Sequence, residues 1–202
     1  MKIFSKQYWL DSLSNFKKVK SIALMSILMA ACVTVGGLCS IFPIKLFDRT
    51  MSLIFIFWPI FAILFGPVPT TIIAGIVDLL MFVLFPTGYP MYIGYTFTQM
   101  LIGLVNGLLF YKTKISILKI FISQFIINFG IHVGIESLFM ADIMKYGFEA
   151  YKTYVIGGII KNGLFLPIEI ISIFIILGAL FPVLRIMKIT DESYLDKIYL
   201  FK

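Results

Sequence analysis

Apolar residues run in long blocks along the chain, and polar positions collect between the blocks instead of alternating with them. A helix needs about 20 consecutive apolar residues to cross the hydrocarbon core of a bilayer. Six stretches read as such crossings: 21–42, 51–65, 70–85, 92–111, 115–140 and 155–184. The second is short and carries Trp58 and Pro59. Gly66-Pro67-Val68-Pro69 sets the third apart as a turn that no helix crosses easily, and Pro86-Thr87-Gly88-Tyr89-Pro90 closes it. A polar, aromatic loop is expected over 142–154. The sixth stretch is longer than one crossing, so it is expected to tilt or to break near Lys161 or Pro167. The pattern predicts an all-α integral membrane protein of six transmembrane helices, forming a single domain over 1–202.

Composition agrees: 60% of the residues are hydrophobic and 13% charged, against about 25% charged in soluble domains. The net charge of +7 sits in the connections, which speaks against a nucleic-acid face. It reads instead as a topology signal. Lys2, Lys6, Lys17, Lys18, Lys20, Lys112, Lys114, Lys119, Arg185, Lys188, Lys197 and Lys202 fall on one side, and Lys45, Arg49, Lys145 and Lys152 on the other. That bias places the N- and C-termini in the cytoplasm. Residues 1–20, with Tyr8 and Trp9, are expected to form an amphipathic lead-in at the interface, and 185–202 a cytoplasmic tail. No cleavable secretory signal is evident. Cys32 and Cys39 match neither a zinc site nor a disulfide framework.

Ionisable groups inside apolar runs have few structural reasons to be there. Asp78 stands in the middle of the third span and Lys161, beside Asn162, in the sixth; Arg49 precedes the second. Tyr95, Gln99 and Asn106 share one face of the fourth. Tyr89, Tyr92 and Tyr95 gather near the outer mouth. On the fifth span Gln124, Asn128, His132 and Glu136 step by four and drift round the helix. Gln124, Asn128 and Asn106 read as hydrogen-bonding links between helices, and His132 as a satisfied interior histidine without a metal. Glu169 is placed to pair with Lys161 or Lys188. Mixed charges with aromatics suit a polar aromatic solute bearing an acidic tail. Catalytic and phosphate-loop motifs are missing, so the chain reads as a binding protein and not an enzyme. On the first span Ala23, Ser26, Ala30 and Thr34 make a small-residue face, either an internal contact or a surface for a partner subunit.

The run Phe65-Gly66-Pro67, Gly75-x-x-Asp78, Phe85-Pro86-Thr87-Gly88, Gly94-Tyr95-Thr96 and Gly103-x-x-x-Gly107, with Lys161-Asn162 and Leu166-Pro167-Ile168-Glu169 later, strongly resembles the substrate-binding S components of energy-coupling factor vitamin importers, the folate-type subfamily most. That resemblance implies a bacterial plasma-membrane protein that binds a vitamin with high affinity from outside. It also implies partners, one transmembrane coupling subunit and two ATPases, and no cofactor of its own. The chain departs from the family over 130–154, and Gly157 and Gly158 stand where a basic residue is expected before Lys161.

On this reading Asp78 accepts the paired N–H groups of a pterin edge. Trp58, Tyr89 or Tyr92 stacks on the ring, and Arg49 or Lys161 meets the anionic tail. Pantothenate, a thiamin-like vitamin or a queuosine-type base is the alternative cargo, and a membrane enzyme or an independent permease the alternative class.

Overall fold

Helices account for most of the described residues, as the blocked hydropathy predicts. The computed structural model describes residues 5–46, 49–86, 91–144, 147–187 and 198–199. Helix α1 (Lys6–Ser14) starts where the Ser5 hydroxyl accepts the Tyr8 N–H, a side-chain cap for an orphan amide. Helix α2 (Val19–Ile41) follows. Strands β1 (Ile44–Leu46) and β2 (Arg49–Met51) then form an antiparallel hairpin pairing Ile44 with Met51 and Leu46 with Arg49. One 3-10 turn, Leu53–Ile56, leads into α3 (Phe57–Phe65). Next come α4 (Pro67–Leu84) and α5 (Ile93–Phe110). Helix α6 (Ile117–Phe125) passes without a break into a π-helical segment, Ile126–Ile135, and on into α7 (Glu136–Met144). Helix α8 (Gly147–Met187) is last.

Five helical stretches are long and apolar enough to cross a membrane: Val19–Ile41, Pro67–Leu84, Ile93–Phe110, Ile117–Met140 and Tyr151–Ile186. The stretch read as the second crossing is a shorter apolar helix, Leu53–Phe65. Every residue of α3 from Trp58 to Phe65 is buried, so it packs inside the bundle and contributes Phe61 and Phe65 to the core.

Two sequence expectations change and a third is narrowed. The four-residue turn before the third span shrinks to Gly66 alone, whose φ of 84° suits a residue without Cβ. Pro67 is already the first residue of α4, where its missing N–H is no loss. The loop expected over 142–154 is mostly helix, α7 running to Met144 and α8 starting at Gly147. No break interrupts α8 near Lys161 or Pro167, and Pro167 and Pro182 lie within it. Its 41 residues extend about 60 Å, well beyond the ~30 Å hydrocarbon thickness.

Glycines set the closest helix pair. A Cβ on Gly103 would sit 2.7 Å from the Thr70 carbonyl oxygen, and one on Gly107 would overlap Pro67. Helix α5 therefore lies against the backbone of α4, the close approach that small-xxx-small spacing permits.

The segment expected to lie at an interface is bonded, through α1 and the turn after it, to the elbow between α3 and α4. Ser12 Oγ donates to the Phe65 carbonyl at 3.1 Å and accepts the Val68 N–H at 3.2 Å. Asn15 Nδ2 donates to the same carbonyl at 3.0 Å, and Tyr8 Oη donates to the Gly107 carbonyl at 3.2 Å. Ser12 and Asn15 are buried. Burial drives the Tyr8 phenol upward from its ordinary pKa. At the solvent edge Lys112 Nζ meets Asp11 Oδ2 at 2.7 Å; with Gln7 also donating, the Asp11 carboxyl is held below its usual range.

On α2 the buried side is Ser21, Met25, Cys32, Gly36 and Gly37. Ala23, Ser26, Ala30 and Thr34 are all exposed, so the small-residue face turns away from the bundle formed by the described residues. Ser26 and Thr34 donate back to the Ile22 and Ala30 carbonyls, which leaves that surface without free donors.

Candidate functional site

A cavity of about 630 Å³ opens between α3, α4, α5, the α6–α7 run and α8, within the range of small-molecule sites. Trp58, Val77, Met81, Ile102, Ile127 and Phe165 supply apolar wall, and Met51 and Ser52 bring the end of the β hairpin to it.

Asp78 enters from α4. Its Oδ2 accepts Thr96 Oγ1 from α5 at 2.6 Å, a contact the close α4–α5 packing allows. Tyr95 and Gln99 line the cavity from the same side of α5. Asn106, expected on that face, lies outside the lining. It is buried, donates to the Ile102 carbonyl at 2.9 Å and accepts Ser123 Oγ at 3.2 Å, as its structural reading predicts.

Gln124, Asn128, His132 and Glu136 all line the cavity. In an α-helix a four-residue step overshoots one turn by about 40°. Bonding from i to i+5 makes a wider turn, so the same step falls short and the drift is offset. The π segment thereby keeps four polar side chains on one wall. His132 Nδ1 is 2.8 Å from Glu136 Oε2, and Thr98 Oγ1 donates to Glu136 Oε1 at 2.9 Å. With both carboxylate oxygens engaged, the Glu136–His132 pair is fixed in orientation. His132 is thus a cavity residue with a carboxylate partner.

From α8 come Lys161, Asn162 and Glu169. The pairing of Glu169 with Lys161 does not form: Glu169 Oε2 instead accepts Asn128 Nδ2 at 2.6 Å. Lys161 is half-buried and makes no ion pair among the described residues. Asn162 is buried and donates to the Asn128 carbonyl at 3.4 Å. Gly157 and Gly158 also line the cavity, leaving it a cation short at that point.

The structure therefore brings Trp58, Asp78, Tyr95, Gln99, Lys161 and Asn162 around one space. Tyr92 is not on its wall. Its ring packs edge-on to Tyr95, 6.0 Å between centroids, and against Phe139 at 5.3 Å, so it braces Tyr95 from behind. Arg49 is placed only by its backbone in β2, and its side chain and Tyr89 lie outside the described residues. Sequence reasoning underrated Gln124, His132, Glu136 and Glu169. Their common signal is a ladder of polar residues four apart in an apolar segment.

Three carboxylates, Asp78, Glu136 and Glu169, share the cavity with Lys161 and His132. In so apolar a setting unpaired charge is costly. The arrangement suits a solute that brings N–H donors, with an aromatic ring to lie against Trp58 or Tyr95.

No protein-family model matches the chain, and no curated protein matches it. Among solved structures it is similar to "Crystal structure of FolT bound with folic acid": TM-score 0.64, 25% sequence identity, covering 76% of this chain and 89% of that one. The resemblance to folate-type S components carried by the sequence motifs holds in three dimensions.

Proposed function

We propose that this protein is the vitamin-binding subunit of an energy-coupling factor importer and that its cargo is a folate. The observation that carries this reading is Asp78, held by Thr96 at the wall of a cavity about 630 Å³ in volume, in a fold similar to that of FolT solved with folic acid. The pterin edge pairs its N–H donors with the Asp78 carboxylate, and Trp58 and Tyr95 offer ring faces. The glutamate tail leaves past Met51 and Ser52 toward Arg49 and Lys45, where the hairpin joins the rim.

We count the shorter apolar helix Leu53–Phe65 as a crossing beside the five long stretches, which brings the reading to six. The distribution of lysine and arginine puts both termini in the cytoplasm and the hairpin outside, so the cavity fills from outside. ATP hydrolysis belongs to two partner ATPases and force transmission to a coupling subunit, which meets the outward small-residue face of α2. The chain acts as a single membrane-embedded domain in the plasma membrane and catalyses no reaction itself.

One observation favours a different cargo within the same class. Gly157 and Gly158 stand where the folate-type pattern has a basic residue, and the cavity carries more acid than base. A cationic, thiamin-like vitamin would suit that balance. Thermal-shift titration of the purified protein with folic acid, thiamin and pantothenate separates the readings. Folic acid is expected to raise the melting temperature at micromolar concentration. A shift with thiamin and none with folic acid would replace the folate reading with its rival.

A further inference from the structure

The polar side chains of the cavity differ in how far the protein itself satisfies them. Both oxygens of Glu136 are engaged, by His132 and Thr98. One oxygen each of Asp78 and Glu169 is engaged, by Thr96 and Asn128. Gln124 is different. Its side chain is 2% exposed and lines the cavity, yet its amide makes no hydrogen bond among the described residues.

Every fully enclosed side-chain nitrogen or oxygen among them has a partner. The small accessible part of Gln124 therefore includes its amide. Its neighbours show the contrast: Ser123 reaches Asn106 and Asn128 reaches Glu169. A primary amide has two donors and an acceptor, and burying one unpaired is unfavourable. Trp58 is in the same condition. At 4% exposure on the cavity wall, its indole N–H has no hydrogen-bond acceptor among the described residues, although buried tryptophan usually finds one.

Gln124 stands on α6 and Asp78 on α4, so these two groups reach the cavity from different walls. We propose that Gln124 contacts the ligand, its amide reading a second hydrogen-bonding edge of the flat heterocycle whose donor edge Asp78 holds, while the Trp58 N–H donates to a ring acceptor. A carboxamide pairs edge-on with adjacent donor and acceptor groups of a nitrogen heterocycle, as glutamine does with adenine. The ligand class is a fused ring with hydrogen-bonding groups on two edges. This assignment rests on the folate reading, which makes that ring a pterin.

The test uses the full chain in nanodiscs and calorimetric titration with folic acid and with pteroic acid, which keeps the ring and lacks the glutamate tail. Gln124→Leu and the unbranched Gln124→Met are compared with the unaltered protein, the second carrying the test if the first does not fold. Both ligands are expected to bind at least about tenfold more weakly, by the same factor, with no fall in the melting temperature of the empty protein. Affinities within twofold of the unaltered protein, or a loss seen with folic acid alone, would overturn the assignment. If the unaltered protein binds neither compound, the folate reading itself fails and the pterin assignment goes with it.

Discussion

Thr96 Oγ1 donates to Asp78 Oδ2 across the α4–α5 contact at 2.6 Å, and the other carboxylate oxygen has no protein donor among the described residues. One half of the group is anchored and the other half is left for cargo. Asp78→Ala is expected to weaken folic acid binding by about 3 kcal/mol, roughly a hundredfold, because buried ligand N–H groups lose a charged acceptor. Thr96→Val, which removes only the anchor, should cost about 1 kcal/mol. Asp78→Asn should raise the melting temperature of the empty protein while it weakens binding, since a charge leaves an apolar segment. Unchanged calorimetric affinity in Asp78→Ala would take this residue out of the site.

Trp58 offers a ring face and an indole N–H, and the two roles separate by substitution. Trp58→Phe keeps an aromatic face and deletes the donor. Folic acid is expected to bind about tenfold less well to this variant. Its 4-amino analogue, which presents an amino group where folic acid carries an exocyclic carbonyl oxygen, should lose little if that oxygen is the acceptor of the indole N–H. Equal losses for the two compounds would mean that Trp58 acts by stacking alone.

The outward face of α2 has no assigned job inside the bundle. Ala30→Phe, at an exposed position, should leave folic acid affinity unchanged in the purified protein and abolish uptake by cells that also carry the coupling subunit and ATPases, since bulk prevents close helix approach. Retained uptake would refute α2 as the docking surface.

At the edge of α1, Asp11 is held below its ordinary pKa by Lys112 and Gln7. A carboxyl lowered on folding adds stability that is complete above its unfolded pKa of about 3.9 and fades as pH falls through the folded value. Asp11→Asn should therefore lower the melting temperature slightly at pH 7, and the gap should close as pH falls through the lowered pKa of the folded carboxyl. The pair is exposed and screened by salt, so the loss is small. Ser12→Ala, which strips a buried carbonyl and a buried amide of one partner, should cost more, about 1–2 kcal/mol in denaturation.

The parts of this molecule that could be read in advance are those written in hydropathy and in glycine and proline. The positions of the helices, the sharp elbow at Gly66 and the Gly103-x-x-x-Gly107 contact belong here, as does Asp78, conspicuous as a lone carboxylate in an apolar run. Geometry that depends on helix type was hidden. The four-residue steps from Gln124 to Glu136 looked like a drifting stripe because an α-helical turn was assumed, and nothing in Ile126–Ile135 announces i-to-i+5 bonding. The 142–154 stretch looked like a loop because it is polar, whereas its Lys, Glu and Ala residues favour helix. Tyr92 and Tyr95 are equivalent in the sequence, yet only Tyr95 lines the cavity, and Phe139, far along the chain, packs against both rings. Whether a buried amide is satisfied, as Asn128 is and as Gln124 is not among the described residues, depends on neighbouring helices that the order of residues does not disclose.

The hydroxyl of Ser12 serves the carbonyl of Phe65 and the amide of Val68, groups made more than fifty residues after it. During synthesis α1 thus leaves the ribosome long before its destination exists, and it must wait, tethered by α2, for the elbow to form. Its final seat, under two helix ends of the same chain, means that an element made before them settles only after they do.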